Sequence, residues 1–539
     1  VWADGSRKAD ETPYFLRRRK LCAAVLDACV SPDRQLYAAV NGIWCICEET
    51  SWVISAHNVN AIPGAPNAAD YPLPDPEKPY VDLFSAQTAM ILALTYHLLK
   101  PKLDEITPML CRRIAREIEL RVLMPFMTTD DFWWMGVKRK DLNNWTPWIL
   151  SNIMLSACML PMERQRLTAL LDRACRMLDR WLDVMPADGG CDEGAGYWNM
   201  AGGALLDCLQ LLEEVTDGRM TFWQEPKIRN ILRFPVQAEI GGGWFLNFAD
   251  CDARPFLSGE RLQYAGEKLS DPALRNLGVR TRGTLDGQLN DTPHFSRLLR
   301  MLFHPSCSLS PAEDRGDTWL PDLQVRVVRR GGLTLCCKGG HNGENHNHND
   351  VGSFMLYAKD VPCIVDAGNM VYTAKTFSSE RYTLWNVRGA YHSLPIIGAY
   401  EQHDGRTYAA KDVRCLEDGL SLRMEDAYPA EAGLTLLQRT LRLTENTLTI
   451  HDVIALSTPQ RITWVFMLRS KPEINGTKCQ LGDICLELPE RMYAAAEEIP
   501  ITDPRMARSF PGSLWRLTVL SPEGKQWDVT FTARRDAHA

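Results

Sequence analysis

The spacing of apolar residues changes once along the chain, from a period of three to four residues to a period of two. From about residue 15 to 230, segments such as "DLFSAQTAMILALTYHLLKPKL" and "RQRLTALLDRACRMLDRWLDVM" predict amphipathic helices. Asp82 precedes the first of these segments, and a proline follows both Thr107 and Thr146, as is typical of helix starts. Because helices follow one another through short links, we predict antiparallel helix pairs stacked into a solenoid or a closed toroid.

From about residue 320 the apolar residues alternate with polar ones, as in "LQVRVVRRGGLTLCCKGG" and "LTLLQRTLRLTENTLTIHDVIAL". Many short strands without helices predict an antiparallel β-sandwich. The residues between are rich in Gly, Pro, Arg and Asp and predict an irregular connection, within which "GGGWFLNFADCDARP" is the segment expected to reach a site. The predicted domains are therefore a helical (α/α) toroid over 1–230, a connecting region over 231–320 that completes the toroid and cleft, and an antiparallel sandwich with a metal site over 321–539.

Composition and charge narrow the class of protein. The chain has 539 residues and a formal net charge of −7, which provides no basic field for a nucleic acid. It lacks an apolar run of about 18 residues, so we expect no membrane partner. Its 17 cysteines, many in helical patterns, suit buried thiols in a reducing compartment. We therefore expect a cytoplasmic location, or a periplasmic or secreted one if a signal peptide has been removed.

The segment "GGHNGENHNHNDVGSF" (residues 339–354) concentrates polar chemistry just before an apolar strand. Three of the chain's 11 histidines, His341, His346 and His348, lie within eight residues, and Asp350 follows them. Zinc sites use neutral imidazoles and carboxylates, and His346 and His348 share a face if the segment is extended. We interpret the cluster as a functional site rather than a set of unrelated polar residues.

A hairpin is predicted directly after this cluster, with strands over 351–358 and 361–366 joined by a turn at 359–360. Its register would pair Asp366 with about Ser353 rather than with a histidine. The histidine loop must therefore fold back if Asp366 is to share a metal with it.

The block "HNHNDVGSF…VDAGNMVY…YHSLPIIG" resembles the signature of the heparinase II/III-like polysaccharide lyases. That signature is H-x-H-x-D-x-G-x-F, then D-x-G-x-x-x-Y, then an arginine and a histidine. The resemblance covers most of the chain and is strongest over 130–205 and 339–402. It implies an α-helical toroid followed by an antiparallel β-sandwich, which agrees with the two periods.

The resemblance also implies the roles of individual residues. His348, Asp366 and His392 would hold a zinc ion, which we expect to be structural. His346 would face the substrate cleft as a catalytic imidazole. Spacing alone does not select these ligands.

The helical half contributes two unusual segments, "DLNNWTPWILSN" and "PADGGCDEGAGYWNMAGG". β-Elimination across C4–C5 of a uronic acid needs a group that neutralises the carboxylate, a base for the C5 proton and an acid for O4. An amide can bind the carboxylate, and we assign this role to Asn144. A tyrosine can transfer a proton, and the family's catalytic tyrosine lies in a segment similar to that of Tyr197. His346 would act as base, as partner to Tyr197 or as carboxylate ligand.

Each of these residues also has a structural explanation, since Asn144 could cap a helix and Tyr197 could belong to a core. Glu193 lies four residues before Tyr197, so both share a face if the segment is helical. Arginine forks suit carboxylate and sulfate groups, and aromatic rings stack on sugars. The residues that we predict to bind substrate are Glu193, Trp145, Trp198, Arg381, Arg388 and Tyr372.

The expected function is a lyase that cleaves uronate-containing oligosaccharides or polysaccharides and leaves a 4,5-unsaturated uronate. Two alternatives stay open, a zinc-dependent glycan hydrolase and a non-catalytic carbohydrate-binding protein. A new ultraviolet chromophore distinguishes the lyase from the hydrolase. We also expect a homo-oligomer as one form of the protein.

Overall fold

The computed structural model describes residues 8–31, 36–61, 73–284, 294–311 and 315–535. The chain divides into two compact units, the first made of residues 1–185, 198–232 and 257–311 and the second of residues 186–197, 233–256 and 312–539. This division differs from single cuts at 230 and 320, because two short segments, 186–197 and 233–256, cluster with the C-terminal strands.

The first unit is helical. Its described α-helices, of which α9 extends past the boundary of the unit, are α1 (Lys8–Val30), α2 (Tyr37–Cys47), α3 (Leu83–Ile106), α4 (Pro108–Ile118), α5 (Met124–Thr128), α6 (Trp145–Met159), α7 (Arg164–Val184), α8 (Gly202–Val215), α9 (Pro226–Ala238), α10 (Gly259–Leu269), α11 (Pro272–Thr281) and α12 (Phe295–Phe303). None of the helices in the described part of the chain combines the length and the apolar character needed to cross a membrane.

The helix starts follow the capping signals. The carboxylate of Asp82 accepts a hydrogen bond from the backbone N–H of Ser85 at 2.7 Å and forms a capping box at the start of α3. Thr107 caps α4, whose first residue is a proline. Helix α6 begins at Trp145, one residue before the predicted start, with Asn144 at the N-cap position. The Asn144 side chain makes no capping hydrogen bond to this helix.

The inner helices of the first unit form a closed ring. Helix α3 contacts α6, α6 contacts α8, α8 contacts α10, α10 contacts α12, and α12 contacts α3 again. Helices α4, α7 and α11 each pack against their ring partners α3, α6 and α10. Helices α3, α6 and α8 are buried along most of their length, as expected for an inner layer. The predicted (α/α) toroid of helix pairs is confirmed.

The prediction of irregular structure over 231–320 is wrong, because α10, α11 and α12 lie there and most of α9 does too. Glycines that suggested helix breaks instead allow α10 and α11 to approach closely. A Cβ atom at Gly266 would lie 2.3 Å from the backbone nitrogen of Arg275, and one at Gly278 would lie 2.2 Å from that of Gln263. Any larger side chain at either position would push the two helices apart.

The second unit is an antiparallel β structure. Its strands are β1 (Glu239–Gly241), β2 (Trp244–Phe245), β3 (Thr318–Leu320), β4 (Val325–Arg330), β5 (Leu333–Lys338), β6 (His341–Asn342), β7 (Phe354–Ala358), β8 (Val361–Ile364), β9 (Pro395–Ile397), β10 (Gly405–Ala409), β11 (Lys411–Leu416), β12 (Gly419–Arg423), β13 (Leu434–Leu443), β14 (Thr447–Gln460), β15 (Ile462–Leu468), β16 (Glu473–Asn475), β17 (Lys478–Leu481), β18 (Ile484–Glu487), β19 (Tyr493–Pro500), β20 (Ser513–Leu520) and β21 (Gly524–Arg535), with a short helix α13 (Met506–Ser509) before β20.

Two large sheets make the sandwich. One has the order β11-β12-β13-β14-β21-β18-β17-β16, and the other has the order β19-β20-β15-β8-β7-β5-β4-β3, with β9 paired to β15. Apolar residues of both sheets form one buried cluster, in which Phe466 of one sheet packs against Phe531 of the other and against Phe354 of its own sheet. The predicted β-sandwich is confirmed, and the alternating pattern is explained by one face of each sheet turning inward.

The predicted hairpin is β7–β8, with Tyr357 opposite Pro362 and Leu356 opposite Ile364. The histidine loop between β5 and β7 folds back, so that its end contacts the last residue of β5. The backbone N–H of Gly352 donates to the carbonyl of Lys338 at 2.9 Å. This closure brings the histidines to the end of β8, where Asp366 lies.

Candidate active site and metal centre

Two tyrosines and a histidine meet in the second unit. The hydroxyl groups of Tyr197 and Tyr372 share a hydrogen bond. The hydroxyl of Tyr372 also lies 3.3 Å from Nδ1 of His346. The ring of Tyr197 lies 5.1 Å from that of His346, centroid to centroid. Two phenols and one imidazole are therefore within reach of a single small substrate group.

A buried carboxylate, Asp250, joins this group to the neighbouring histidine. Oδ2 of Asp250 lies 2.9 Å from Nδ1 of His346, and Oδ1 lies 3.1 Å from Nε2 of His348. The guanidinium of Arg381 donates to Oδ1 at 2.8 Å. Asp250 is 1% exposed, so its charge is balanced by these contacts rather than by water.

The chain reaches this geometry through unusual backbone conformations. His346 has φ 54° and Ala249 has φ 61°, both in the left-handed region that most side chains avoid. Gly194 has φ +86°, and a Cβ atom there would lie 2.5 Å from Cβ of Cys251. The absence of a side chain at Gly194 lets the segment that carries Tyr197 pack directly against the segment that carries Asp250. Backbone strain of this kind concentrates at functional sites.

Burial and charge set the protonation of the site. Burial raises the pKa of Tyr197 well above its ordinary value, and the charge of Glu193 adds to this shift. Burial also raises the pKa of Glu193 to about 7, against the opposing effect of His346. Burial acts to lower the pKa of His346, but the hydrogen bond to Asp250 and the charge of Glu193 raise it overall. Burial acts to raise the pKa of Asp250, but its bonds to both histidines lower it overall. At neutral pH Tyr197 keeps its proton and Asp250 is ionised.

Three buried residues that could hold a metal ion lie beside this group. His348, Asp366 and His392 each place one ligand atom within 4.8 Å of the others. Oδ2 of Asp366 lies 2.9 Å from Nδ1 of His392, and Oδ1 accepts a hydrogen bond from the backbone N–H of Gly368 at 2.8 Å.

The chemistry of these residues fits a metal ion. Nδ1 of His348 and Nε2 of His392 are buried and have no hydrogen-bond partner in the described part of the chain. A buried polar atom without a partner is unfavourable by about 1–3 kcal/mol, so two such nitrogens in one cluster are suited to binding a metal ion. Two imidazoles and a carboxylate form a donor set that zinc and other divalent transition metals accept.

Comparison with known proteins identifies the C-terminal domain. Residues 312–524 match the family model described as "Heparinase II/III-like, C-terminal". Over these residues the chain is similar to that family, and the match covers 213 of the 539 residues. No curated protein matches the sequence.

Solved structures extend the likeness to the whole chain. A heparan sulfate lyase mutant from Pedobacter heparinus is 13% identical, with a TM-score of 0.60, 100% of this chain covered and 79% of that chain. A structure titled heparinase III is 11% identical, with a TM-score of 0.68 and coverage of 96% and 76%. At these identities the likeness concerns the fold, which in both halves is that of the heparinases.

Three of the residues predicted to contact substrate, Asn144, Trp145 and Trp198, lie in the helical first unit. Asn144 occupies the N-cap position of α6. The ring of Trp145 packs against Trp133 with centroids 5.2 Å apart. Trp198 is 1% exposed, and its indole N–H donates to the carbonyl of Ile231 at 3.1 Å. This packing gives no support to the predicted sugar contact of Trp198, because almost none of its ring surface is accessible.

The polar residues predicted to bind substrate lie in the second unit. Oε1 of Glu193 lies 3.9 Å from Nε2 of His346. Arg381 donates to Asp250 and to the carbonyl of Asn347, and it thereby holds the histidine loop. Nε of Arg388 lies 3.0 Å from Oε1 of Glu401. The predicted substrate contacts of Glu193, Arg381 and Arg388 stay predictions.

Asp250 is the site residue that sequence reasoning did not name. The segment that contains it, residues 241–255, was expected to reach a site, but the aspartate was not singled out. It lies 96 positions before His346 and follows no period or motif. Of the three histidines in the cluster, His341 lies apart, in the short strand β6 paired with β10.

Proposed function

We propose that this protein is a polysaccharide lyase that cleaves uronate-containing glycans by β-elimination and leaves a 4,5-unsaturated uronate. The observation that carries the proposal is the meeting of Tyr197, Tyr372 and His346, which provides a proton donor and a proton acceptor in one place. The heparinase II/III-like domain and the fold of the heparan sulfate lyase from Pedobacter heparinus support it.

The two proton transfers follow from the protonation of the site. Tyr197 keeps its proton at neutral pH because burial raises its pKa, so it suits protonation of the departing O4. His346 faces Asp250 through Nδ1, which leaves Nε2 as the nitrogen that removes the C5 proton. The electron pair of the C5–H bond becomes the C4–C5 double bond as the C4–O4 bond breaks. No water enters the products.

Asn144 is proposed as the residue that binds the uronate carboxylate. An amide N–H that donates to the carboxylate draws negative charge away from C5 and makes the C5 proton more acidic. Asn144 lies within residues 130–205, one of the two stretches where the resemblance to the heparinase II/III-like lyases is strongest, and this supports the role.

The proposed metal is zinc, bound by His348, Asp366 and His392. These three residues come from the histidine loop, the end of β8 and the segment before β9. A bound ion would hold the three segments together and fix the loop that carries His346. All three residues are at most 1% exposed, which favours a structural ion over one that activates water for hydrolysis.

The substrate class is proposed from the same site. A glycosaminoglycan or another uronate polymer supplies the carboxylate and the C5 proton that the chemistry requires. The cytoplasmic location and the homo-oligomer also stay predictions.

A substrate screen tests the proposed function directly. The purified protein is incubated with heparan sulfate, chondroitin sulfate, hyaluronan, alginate and ulvan fragments, and both ultraviolet absorbance and new reducing ends are followed. We expect both signals to rise together on at least one glycan. Reducing ends without absorbance would establish a hydrolase, and glycan binding without any product would establish a carbohydrate-binding protein. Either result would refute the lyase.

A further inference from the structure

Asp250 contacts both the proposed catalytic imidazole and a proposed metal ligand. One oxygen lies 2.9 Å from Nδ1 of His346, and the other lies 3.1 Å from Nε2 of His348. Arg381 donates to the second oxygen at 2.8 Å. In the described part of the chain, no other carboxylate bonds to both His346 and His348.

The segment around Asp250 is fixed to the strand that carries Asp366. The side-chain amide of Asn247 donates to the carbonyl of Asp366 at 2.9 Å. The side-chain amide of Asn369 donates to the carbonyl of Asp250 at 3.0 Å. These two bonds run in opposite directions between the same two segments, so Asp250 cannot shift without moving the neighbourhood of a metal ligand.

We infer that Asp250 is a positioning residue that couples the metal site to the imidazole of His346. The inference deepens the proposed function and rests on it for the catalytic step. An ionised carboxylate accepts hydrogen bonds and donates none, so each histidine must present an N–H to it. His346 then carries its proton on Nδ1 and offers the Nε2 lone pair to substrate. His348 carries its proton on Nε2 and offers Nδ1 to the metal.

The burial of His348 agrees with this assignment. Its Nδ1 is among the buried atoms that have no hydrogen-bond partner in the described residues. The nitrogen left without a protein partner is thus the one that Asp250 leaves unprotonated. The same carboxylate determines which nitrogen of each histidine is available.

Asp250→Asn tests the coupling with almost no change in shape. The asparagine side chain has one acceptor oxygen, but its NH₂ group replaces the second oxygen and can only donate. That group would face either the protonated Nδ1 of His346 or the guanidinium of Arg381, and neither can accept a hydrogen bond. Loss of an outer partner of a metal ligand typically lowers metal affinity or activity about 10- to 100-fold. We expect Asp250→Asn to lower zinc affinity and kcat each by about that factor, with KM changed less than about threefold.

Three further variants distinguish coupling from general damage. Asp317→Asn is the matched control, since Asp317 accepts hydrogen bonds from Arg330 and Arg326 and has no histidine partner among the described residues. It should leave zinc affinity and kcat unchanged. His346→Ala should lower kcat alone, and His348→Ala should lower zinc affinity. Only Asp250→Asn should lower both zinc affinity and kcat, although Asp250 itself contacts neither the substrate nor the metal.

Nitrogen NMR of ¹⁵N-histidine-labelled protein provides a readout that does not require activity. The His346 signal, assigned with His346→Ala, should show the proton on Nδ1 in the wild type and lose that preference in Asp250→Asn. An unchanged His346 tautomer, or wild-type zinc affinity in Asp250→Asn, would overturn the inference. If no glycan is cleaved by the wild type, the proposed function fails, while zinc affinity and the tautomer still decide the role of Asp250.

Discussion

The hydroxyl of Tyr372 lies 3.3 Å from Nδ1 of His346 and also shares a hydrogen bond with the hydroxyl of Tyr197. The two tyrosines lie 175 positions apart in sequence, and the fold of the second unit brings their hydroxyl groups together. Burial raises the pKa of both phenols, so both hold their protons at neutral pH. A protonated phenol therefore lies beside the imidazole that we propose as the base.

Tyr197→Phe is expected to remove lyase activity while the fold stays intact. The substitution deletes one hydroxyl and keeps the ring, so the proton donor is lost without a large cavity. General acid–base groups contribute about 10²- to 10⁴-fold, and we expect kcat to fall at least about 100-fold. Absorbance of the unsaturated product measures the rate, and circular dichroism with the melting temperature checks the fold.

Tyr357→Phe is the matched control for this substitution. Tyr357 is fully buried in the second unit, and its hydroxyl has no hydrogen-bond partner among the described residues. Its removal should leave both kcat and the melting temperature near the wild-type values. Full activity in Tyr197→Phe would rule out proton transfer by Tyr197, whatever the control shows.

His348→Ala is expected to lower metal content and thermal stability together. The substitution removes one of the three proposed ligands and leaves Asp366 and His392 without a third donor. Structural zinc stabilises a fold by binding only its native form, so a chelator should lower the melting temperature of the wild type more than that of the variant. Elemental analysis gives the stoichiometry.

His451→Ala serves as the control for metal content. His451 is an exposed histidine of the sandwich whose Nε2 lies 2.7 Å from Asp528. It should keep wild-type metal and lose at most about 1 kcal/mol, as exposed ion pairs usually do. Unchanged metal stoichiometry in His348→Ala would refute the assignment of that ligand.

The architecture could be predicted from the sequence because apolar residues recur at a regular interval in each half, every three to four residues in the first and every two in the second. The helical spacing along α3 and the alternation along β13 and β14 are local consequences of one buried face. The β7–β8 hairpin also followed from local signals, whereas the fold-back of the histidine loop was expected only if Asp366 shares a metal with that loop. By contrast, His348, Asp366 and His392 were selected through a family motif, because spacing does not specify which of several polar residues share a centre.

Two features could not be predicted because they depend on contacts between distant segments. Asp250 belongs to the site only because Asn247 and Asn369 bind its segment to the strand that ends near Asp366. The glycines of α10 and α11 looked like helix breaks, yet they permit close helix packing. Neither close packing nor a carboxylate shared by two histidines leaves a periodic signal in sequence.

Asn144→Ala is expected to lower kcat about 100-fold if its amide binds the uronate carboxylate, the size expected when one donor to a developing negative charge is lost. The helix should be almost unaffected, since the Asn144 side chain makes no capping bond. Asn143→Ala is the control, because Oδ1 of Asn143 accepts a hydrogen bond from the backbone N–H of Trp145 at 3.0 Å. Its loss should lower stability by about 1 kcal/mol and leave kcat unchanged. Equal kcat values in both variants would remove Asn144 from the mechanism.

At the start of the histidine loop, one ammonium faces two carboxylates, which makes stability depend on pH. Nζ of Lys338 lies 2.7 Å from Asp350 and 2.8 Å from Glu344; Lys338 and Asp350 are buried, and the side chain of Glu344 is 9% exposed. Burial raises the pKa of Glu344 from its ordinary value of 4.5 to about 7, and the charge of Asp350 adds to this shift against the attraction of Lys338. A single ammonium does not compensate two carboxylates that are so little exposed.

The folded protein therefore binds a proton at Glu344 between pH 4.5 and about 7 that the unfolded chain has released. The stability that this proton provides is complete below pH 4.5 and is lost as pH rises through 7. Relative to Glu344→Gln, which stays neutral, the wild type should lose on the order of 3 kcal/mol over this window, at about 1.4 kcal/mol per pKa unit. Denaturant midpoints of both proteins from pH 4 to 8 measure the difference, with the exposed Glu497→Gln as control. A difference that stays constant or grows with pH would show that Glu344 is ionised in the fold throughout, and that Lys338 compensates both carboxylates after all.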